Sequence, residues 1–454
     1  MWRPVHSWRN IAIARFNLKK GDQTAQAYEN AVISDNCRIP QQSRCTLHNM
    51  KALLLLLFLT ASLQTNLAAS GTGGSLLHPS GDLGISRMAY DWVDVSRPET
   101  ATSDRDAHRE LMVYLWYPTD KKHSPGVRAQ YLPGADKIAK DGSAKDATDF
   151  WGDSWPKVAS GHIVSETSEH AQIASGTEKF PLLVFAPGLG LSSTTYTSTI
   201  QELVSHGYVI ASIEPTYEVG AVVFPDGRVI TERPEATGRG PSPPNESREQ
   251  FLKRLHSFDA GHIEKWADDM RYVIDQITRL NGETGATRAP FAGRIDLSHI
   301  GAWGHSFGGR AAARLCQIDE HVKACLDADG LGPDGPIFAY EGAKLPSQPF
   351  MWIDVFHAPP TDAQLAPYGM TREQWEKNHS EQLLKNEKEL SECHGGSYHI
   401  TLDLPEIEHF SFTDQPVITA KTKQDADRAL DSLTILDDYI RGFFDRYLKT
   451  STTR

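Results

Sequence analysis

The sequence predicts an α/β fold with a mostly parallel central sheet that is flanked by helices and interrupted by lid-like insertions. Two observations indicate this architecture. Apolar runs of strand length alternate with segments that have apolar residues at helical spacing, which is typical of strand–helix–strand units. One strand-like run then enters a very tight turn, Gly304-His305-Ser306-Phe307-Gly308, and small, helix-favouring residues follow it at once. The second observation also indicates where the functional site lies.

The expected strands are apolar runs bounded by proline, glycine or polar turns. They lie at 85–95, 110–117, 180–186, 208–213, 299–305, 322–327, 350–355 and 398–402. Helices are expected at 197–206, at 264–280, directly after the tight turn, and at 371–393 and 425–447, because apolar residues there recur at helical spacing or anchor a polar stretch. Residues 119–178 carry only scattered aromatics, so we expect surface loops with short helices there.

Two insertions interrupt the alternation of strands and helices. The first, at about 214–262, is rich in proline, glycine and arginine, shows no period at its start, and follows the carboxyl end of an expected strand. Lids and substrate loops are found at such positions, and a disordered surface loop is the alternative. The second, at about 356–396, is strongly polar and contains one of the expected helices.

The first 69 residues differ from the rest of the chain. Met50-Lys51 precedes a short apolar run, and small residues follow up to Ala69, which is the layout of a secretory signal peptide. The apolar run is shorter than the roughly 20 residues that span a bilayer, so a membrane anchor is the weaker interpretation. We therefore expect a dispensable or non-native leader at 1–49, a signal peptide at 50–69, one domain at 70–454, and a secreted or periplasmic protein.

Composition excludes some classes of protein and partner. The formal charge of −12 argues against nucleic acid and against a generally anionic membrane surface as partners. Beyond the signal peptide only Cys316, Cys325 and Cys393 remain, which permits one internal disulfide at most. We expect Cys316 and Cys325 to be buried free thiols. No C-x-x-C or H-E-x-x-H spacing occurs, so neither a metal site nor a cofactor is expected.

The G-x-S-x-G pattern around Ser306 is typical of the nucleophile elbow of α/β-hydrolases, where a serine lies at a strained strand-to-helix turn. Neighbouring backbone passes so close to such a turn that a Cβ at Gly304 or Gly308 would clash. A glycine-rich turn with a surface serine is the alternative. The polar turn Asp296-Leu297-Ser298 before the strand and Gly309 after the serine favour the nucleophile.

A serine nucleophile needs a base to take its proton and an acid to orient that base. In α/β-hydrolases both follow the serine, with the acid before the histidine. The candidate bases are His321, His357, His379, His394, His399 and His409. Of these, His409 lies on a short loop after the last expected strand, so we expect it to be the base. A surface-loop histidine is the alternative.

The acid is less well determined by position. Asp327 ends the strand after the elbow, and Asp354 lies in the next strand. Position alone does not separate them, and Asp329 and Asp334 are close competitors. An oxyanion hole needs two backbone N–H groups aimed at the developing negative charge. We expect the amide of Phe307, directly after the nucleophile, and that of Leu189, in the open Gly188-Leu189-Gly190 loop after an earlier central strand.

Together these residues resemble the plasma and type II intracellular platelet-activating factor acetylhydrolases, which are serine esterases of the α/β-hydrolase fold. The resemblance covers about 111–414. Its most specific parts are Gly188-Leu189-Gly190, Ser205-His206-Gly207-Tyr208-Val209, Gly304-His305-Ser306-Phe307-Gly308-Gly309, Leu326-Asp327-Ala328 and the spacing His409-x-x-Phe412-x-Asp414. It implies Ser306 as nucleophile, Asp327 as acid and His409 as base, with Leu189 and Phe307 as oxyanion donors. The chain departs from the family at Pro187 and at Asp329-Gly330.

The expected function is therefore that of a secreted serine esterase for short-acyl esters, including sn-2 acetyl phospholipids, without metal or cofactor. Its expected partners are a small-molecule or lipid ester and, transiently, a lipid surface. A dienelactone hydrolase-like or polyester hydrolase would share Ser306 and His409 but could use Asp354. A non-catalytic binding protein on a hydrolase scaffold is the alternative from another class.

Overall fold

The computed structural model describes residues 75–449 except 122–126, 235, 238–247, 286–287, 331–344, 356, 367–368, 394, 403 and 405. The expected leader and signal peptide lie outside these residues, as do two of the competing site residues, Asp334 and His394. None of the described helices combines the length and the apolar character needed to cross a membrane.

The strands confirm the expected run of central apolar segments. They are β1 (Gly84–Pro98), β2 (His108–Thr119), β3 (Val127–Arg128), β4 (Thr167–Glu169), β5 (Phe180–Ala186), β6 (Val209–Pro215), β7 (Ala221–Val223), β8 (Val229–Thr231), β9 (Ile295–His305), β10 (Val322–Ala328), β11 (Phe350–Val355) and β12 (Ser397–Leu402). Within the described residues, all but β7 and β8 form one sheet in the order β12-β11-β10-β9-β5-β6-β2-β1-β4-β3. The strands from β6 to β12 in that order run parallel to one another, whereas β2 is antiparallel to both β6 and β1.

The helices occupy the expected intervals with some changes of length. They are α1 (Ala135–Ile138), α2 (Lys145–Asp149), α3 (Trp155–Ala159), α4 (Thr197–Ser205), α5 (Arg248–Asn281), α6 (Phe307–Ile318), α7 (Asp362–Leu365), α8 (Arg372–Glu392), α9 (Gln415–Thr419) and α10 (Lys423–Leu448). Short 3₁₀ turns lie at Gly152–Ser154, Ser193–Tyr196 and His409–Phe412.

Helices cover both faces of the sheet. Successive strand residues point to opposite sides, so each strand places apolar side chains under the helices on both faces. On one side Leu182 of β5 belongs to an apolar cluster that includes Trp266 of α5 and residues of α6. On the other side Leu183 belongs to a second cluster with residues of α4 and Phe444 of α10. The described residues therefore form the predicted helix–sheet–helix arrangement.

Three expectations about local structure need correction. Helix α5 begins at Arg248 rather than at 264, so much of the first insertion is helical, and the β7–β8 hairpin occupies part of the remainder. The turn expected at 296–298 lies inside β9 as an irregularity, where the pairing with β5 shifts register between Pro181 and Leu182. Cys316 and Cys325 are not free thiols but form a disulfide between α6 and β10.

Candidate active site

Ser306 lies at the sharp turn between β9 and α6 with φ 54° and ψ −127°. A non-glycine residue at positive φ is strained, and such strain is typical of a nucleophile elbow. The two glycines around it are needed for space. A Cβ at Gly304 would lie 2.2 Å from the carbonyl of Gly308, and a Cβ at Gly308 would lie 2.1 Å from the oxygen of Ala186. The G-x-S-x-G pattern thus has the expected structural basis.

The structure brings Ser306 and His409 together. His409 begins the 3₁₀ turn after β12, and its Nε2 lies 3.1 Å from Ser306 Oγ. Its Nδ1 lies 2.5 Å from Oδ2 of Asp329. A carboxylate only accepts, so Nδ1 carries the proton and Nε2 is free to accept the hydroxyl proton of Ser306. Serine, imidazole and carboxylate form a continuous hydrogen-bonded chain at the carboxyl ends of β9, β12 and β10.

The acid in this chain is Asp329, not Asp327, which corrects the residue implied by the family resemblance. Asp327 still lies inside β10, paired with Gly304 and Trp352, and its carboxyl lies beneath the elbow helix against Gly309. Asp329 is the first residue beyond β10, and its φ of 56° turns the chain toward His409. A difference of two positions along the chain at the end of β10 therefore determines which carboxylate reaches the histidine.

The two other carboxyls considered have different surroundings. Asp327 Oδ1 accepts the Gly330 N–H at 2.7 Å, and burial raises the pKa of Asp327 well above its ordinary value. Burial therefore favours the neutral form of Asp327. Asp354 lies in β11, and the nearest imidazole nitrogen paired with it belongs to His399, at 4.0 Å. His399 itself stacks on Trp352.

Asp329 holds two imidazoles. Besides His409, its Oδ1 is 2.9 Å from Nε2 of His357 and accepts the Val355 N–H at 3.2 Å. Burial alone would raise the pKa of Asp329, but hydrogen bonds from His357 and His409 lower it to about 2. The carboxylate is therefore ionised at neutral pH and bears the negative charge that a protonated His409 requires.

The two expected oxyanion donors belong to segments next to Ser306. Leu189 follows β5 in a turn, and Phe307 is the first residue of α6. The neighbouring amides of Gly188 and Gly190 donate to Tyr196 Oη and to the Glu218 carbonyl, at 3.0 and 2.9 Å. By contrast, within the described part of the chain no hydrogen bond occupies the N–H of Leu189 or Phe307. These two amides are thus free to donate to an incoming oxygen.

A cavity of about 380 Å³ opens onto the serine. Its lining consists of the turn after β5, the serine and histidine, two aromatics and one acid: Phe150, Gly188, Leu189, Gly190, Leu191, Glu232, Ser306, His409 and Phe410. Sequence patterns gave no indication of Phe150 or Glu232, because both lie in irregular segments whose path depends on tertiary contacts. Asp329, already a competitor for the acid, could have been preferred because its glycine neighbour marks a turn at the end of the strand.

Ligand-type atoms suitable for a cation also meet near this site. The side chains of His305, Asp329 and His409 offer such atoms within 4.8 Å of one another, and so do those of Asp329, Asp354 and His357. In the first group Nδ1 of His409 is already hydrogen-bonded to Oδ2 of Asp329, and both ring nitrogens of His305 are hydrogen-bonded to Tyr196 Oη and to the His409 carbonyl.

The chain is similar to known esterases in both sequence and fold. The family model described as platelet-activating factor acetylhydrolase, isoform II, matches residues 99–223, which precede the elbow. A ferulic acid esterase from Streptomyces cinnamoneus superposes with a TM-score of 0.56 at 24% identity, covering 83% of this chain and 94% of that one. At this identity the superposition shows the fold, which is that of the α/β-hydrolases. Fold, site and sequence relatives together define the chain as a carboxylic ester hydrolase.

Within that class the resemblance to the platelet-activating factor acetylhydrolases is confirmed. A probable 1-alkyl-2-acetylglycerophosphocholine esterase from Arthroderma benhamiae is 24% identical over 366 residues, which cover 79% of this chain and 81% of the relative. The platelet-activating factor acetylhydrolase of Cavia porcellus is 25% identical over 235 residues, which cover 47% and 49%. The chain thus spans about half the length of the mammalian relative and most of the fungal one.

Proposed function

We propose that this protein is a secreted serine esterase that hydrolyses short-acyl carboxylic esters, including the sn-2 acetyl ester of platelet-activating-factor-type phospholipids, through an acyl-enzyme. One observation carries the proposal. The Ser306–His409–Asp329 chain, with contacts of 3.1 and 2.5 Å, opens into a cavity beside two amides that are available to an oxyanion.

The chemistry follows from the polarity of these groups. His409 Nε2 takes the hydroxyl proton as Ser306 Oγ bonds to the ester carbonyl carbon, and the carbonyl oxygen becomes an oxyanion held by the N–H groups of Leu189 and Phe307. When the C–O bond to the alcohol breaks, the leaving oxygen receives the proton from His409. Water then repeats these steps on the acyl-serine and releases the acid. Asp329 orients His409 and offsets its positive charge in both halves.

The substrate class is supported by the cavity and by the relatives. A cavity of about 380 Å³ lined by Phe150, Leu189, Leu191 and Phe410 offers an apolar wall to a small acyl group. The names of the fungal and mammalian relatives both refer to acetyl esters. Rates on p-nitrophenyl esters should therefore fall as the acyl chain lengthens beyond a few carbons. A rate that rises steadily to long chains would contradict the short-acyl assignment.

Secretion is supported by the layout at 50–69 and by the Cys316–Cys325 disulfide, because such bonds persist mainly in oxidising compartments. N-terminal sequencing of protein recovered from the medium tests it. A mature chain beginning near residue 70 is expected, and one that still carries residues 1–49 would refute the proposed processing.

The decisive test is the variant Ser306→Ala. Turnover of p-nitrophenyl acetate should fall by several powers of ten, because the nucleophile is gone while the fold remains. A fluorophosphonate probe should label the wild type at Ser306 and leave the variant unlabelled. Undiminished hydrolysis by the variant would exclude the mechanism, and an unlabelled, inactive wild type would favour a binding protein.

A further inference from the structure

The elbow histidine, His305, has no part in the steps above, yet it joins three parts of the site. Its ring is completely buried. Nδ1 lies 2.7 Å from Tyr196 Oη, and Nε2 lies 2.9 Å from the backbone carbonyl of His409. The ring also stacks against Phe412 with centroids 5.1 Å apart. One imidazole next to the nucleophile thus contacts both the turn that carries the base and a tyrosine beside the oxyanion loop.

The direction of each hydrogen bond follows from its partners. A carbonyl only accepts, so His305 Nε2 donates to His409, and in a neutral ring Nδ1 must then accept. Tyr196 therefore donates to Nδ1, and its oxygen accepts the Gly188 N–H at 3.0 Å. Burial lowers the pKa of His305 to about 3, which keeps the ring neutral and the direction fixed. These hydrogen bonds form a relay in which every donor points the same way, from the Gly188 N–H through Tyr196 and His305 to the His409 carbonyl.

Each end of this relay adjoins a group whose position controls the reaction. Gly188 immediately precedes Leu189, and a Cβ on Gly188 would lie 3.3 Å from both Tyr196 Oη and Ser306 Cβ. The contact of Gly188 with Tyr196 therefore fixes the backbone that presents the Leu189 amide. At the other end, holding the His409 carbonyl fixes the first residue of the turn and hence the ring that faces Ser306.

We propose that His305 and Tyr196 are positioning residues, which hold the Leu189 amide and the His409 imidazole in register with Ser306. The inference rests on the proposed function, since it assigns how that site is aligned. It predicts that loss of the relay lowers kcat and weakens oxyanion binding while substrate affinity and the fold persist.

Tyr196→Phe tests the relay by removing a single hydroxyl. The ring remains packed against Phe185, with centroids 4.8 Å apart. We expect kcat on p-nitrophenyl acetate to fall by about ten- to a hundredfold with KM within about twofold, a smaller loss than removal of an oxyanion donor itself. Affinity for a trifluoromethyl ketone, whose adduct places an oxyanion at the amides, should fall by a similar factor.

Tyr117→Phe is the matched control. Tyr117 is also completely buried, and its hydroxyl donates to the Ala171 carbonyl at 2.7 Å, away from the serine. This variant should lower the melting temperature to a similar extent but keep the wild-type kcat and ketone affinity. Equal kinetic parameters for Tyr196→Phe and Tyr117→Phe would overturn the inference and reduce Tyr196 to a structural role.

Substitutions at His305 then separate the two halves of the relay. His305→Gln keeps a donor near Nε2 but offers Tyr196 no ring acceptor, so adding Tyr196→Phe to it should cost little more. Additive losses in kcat would contradict a shared pathway. If His305→Gln does not fold, Tyr196→Phe and its control still decide. A wild type that fails to react with fluorophosphonate would refute the proposed function, whereas an active, labelled wild type with an unimpaired Tyr196→Phe would refute only this inference.

Discussion

The most consequential residue is the acid that faces His409, and two aspartates differ in how they should respond to substitution. Asp329→Asn replaces an ionised partner of the imidazole by a neutral amide, which removes charge compensation and favours the wrong tautomer. We expect kcat/KM to fall roughly 10³- to 10⁴-fold. Asp327→Asn replaces a group whose pKa burial raises, so its neutral form is favoured, and the amide oxygen can still accept the Gly330 N–H. Its kcat/KM should stay within a few-fold of wild type.

Both variants are compared by hydrolysis of p-nitrophenyl acetate at pH 7.5, with circular dichroism as the check on folding. The opposite ranking, with Asp327→Asn inactive and Asp329→Asn active, would restore the acid that the family resemblance implies. Similar large losses in both would mean that the carboxylate cluster acts as one unit.

A second residue, Glu214, makes stability depend on pH. Burial raises its pKa to about 7, against opposing hydrogen bonds from Ser193 and Ser192. The folded state therefore keeps a proton that the unfolded chain releases from about pH 4.5 upward. The contribution of Glu214 to the free energy of unfolding is therefore fully present below pH 4.5, declines between pH 4.5 and 7, and is lost above pH 7.

Glu214→Gln should consequently stabilise the protein at pH 8 by about 1–3 kcal/mol and change it little at pH 5. The amide oxygen can still accept from Ser193, which contacts Glu214 Oε1 through both its N–H and its hydroxyl. Urea unfolding of both proteins at the two pH values gives the difference. A gain that is equal at pH 5 and pH 8 would show that Glu214 is not the titrating group.

At the scale of elements, the hydrophobic pattern predicted the bounds of those strands and helices that are determined by their own residues. The bounds of β5 and β11 coincide with the expected ones, because every residue of both strands is buried and strands buried on both faces form nearly continuous apolar runs. The beginning of α5 was missed, since the proline- and glycine-rich segment just before Arg248 obscured the helical spacing of its first turns. The choice of Asp327 over its competitor Asp329 was wrong for a related reason. Whether Asp327 or Asp329 reaches His409 depends on where β10 ends and on one positive φ angle, which no periodicity records.

The disulfide between α6 and β10 joins two elements that sequence spacing alone did not pair. Its cysteines are nine residues apart, and their Cα atoms are 6.2 Å apart across the helix–strand connection. Replacing both by serine should lower the free energy of unfolding by about 2–3 kcal/mol, because the unfolded chain regains the entropy of an open loop. The kcat should stay near wild type, since Ser306 lies at the opposite end of α6. Urea unfolding and ester hydrolysis measure the two effects, and unchanged stability would contradict a structural role.

At the scale of the whole molecule, one buried arginine links the sheet, a helix and the segment after β6 that is hydrogen-bonded to Gly190. Arg109 of β2 contacts Asp269 of α5 at 2.6 Å, Glu218 at 3.2 Å and Glu99 at 3.1 Å. Glu218 also accepts the Gly190 N–H through its backbone. Arg109→Met would remove most of the positive charge that compensates these buried carboxylates. We therefore expect a loss of about 3–5 kcal/mol in unfolding free energy.

Arg228→Met is the matched control, because Arg228 makes a two-pronged pair with Glu110 while remaining half-exposed. Water solvates both partners of that surface pair when it is broken, so its loss should cost less than about 1 kcal/mol. Urea unfolding of the two variants compares the same chemical change at a buried and an exposed position. Arg109→Met should also lower kcat, because Glu218 supports the loop that contains Leu189. Equal losses of stability in the two variants would mean that water solvates the buried carboxylates as well as the exposed ones, and would contradict the stabilising role of Arg109.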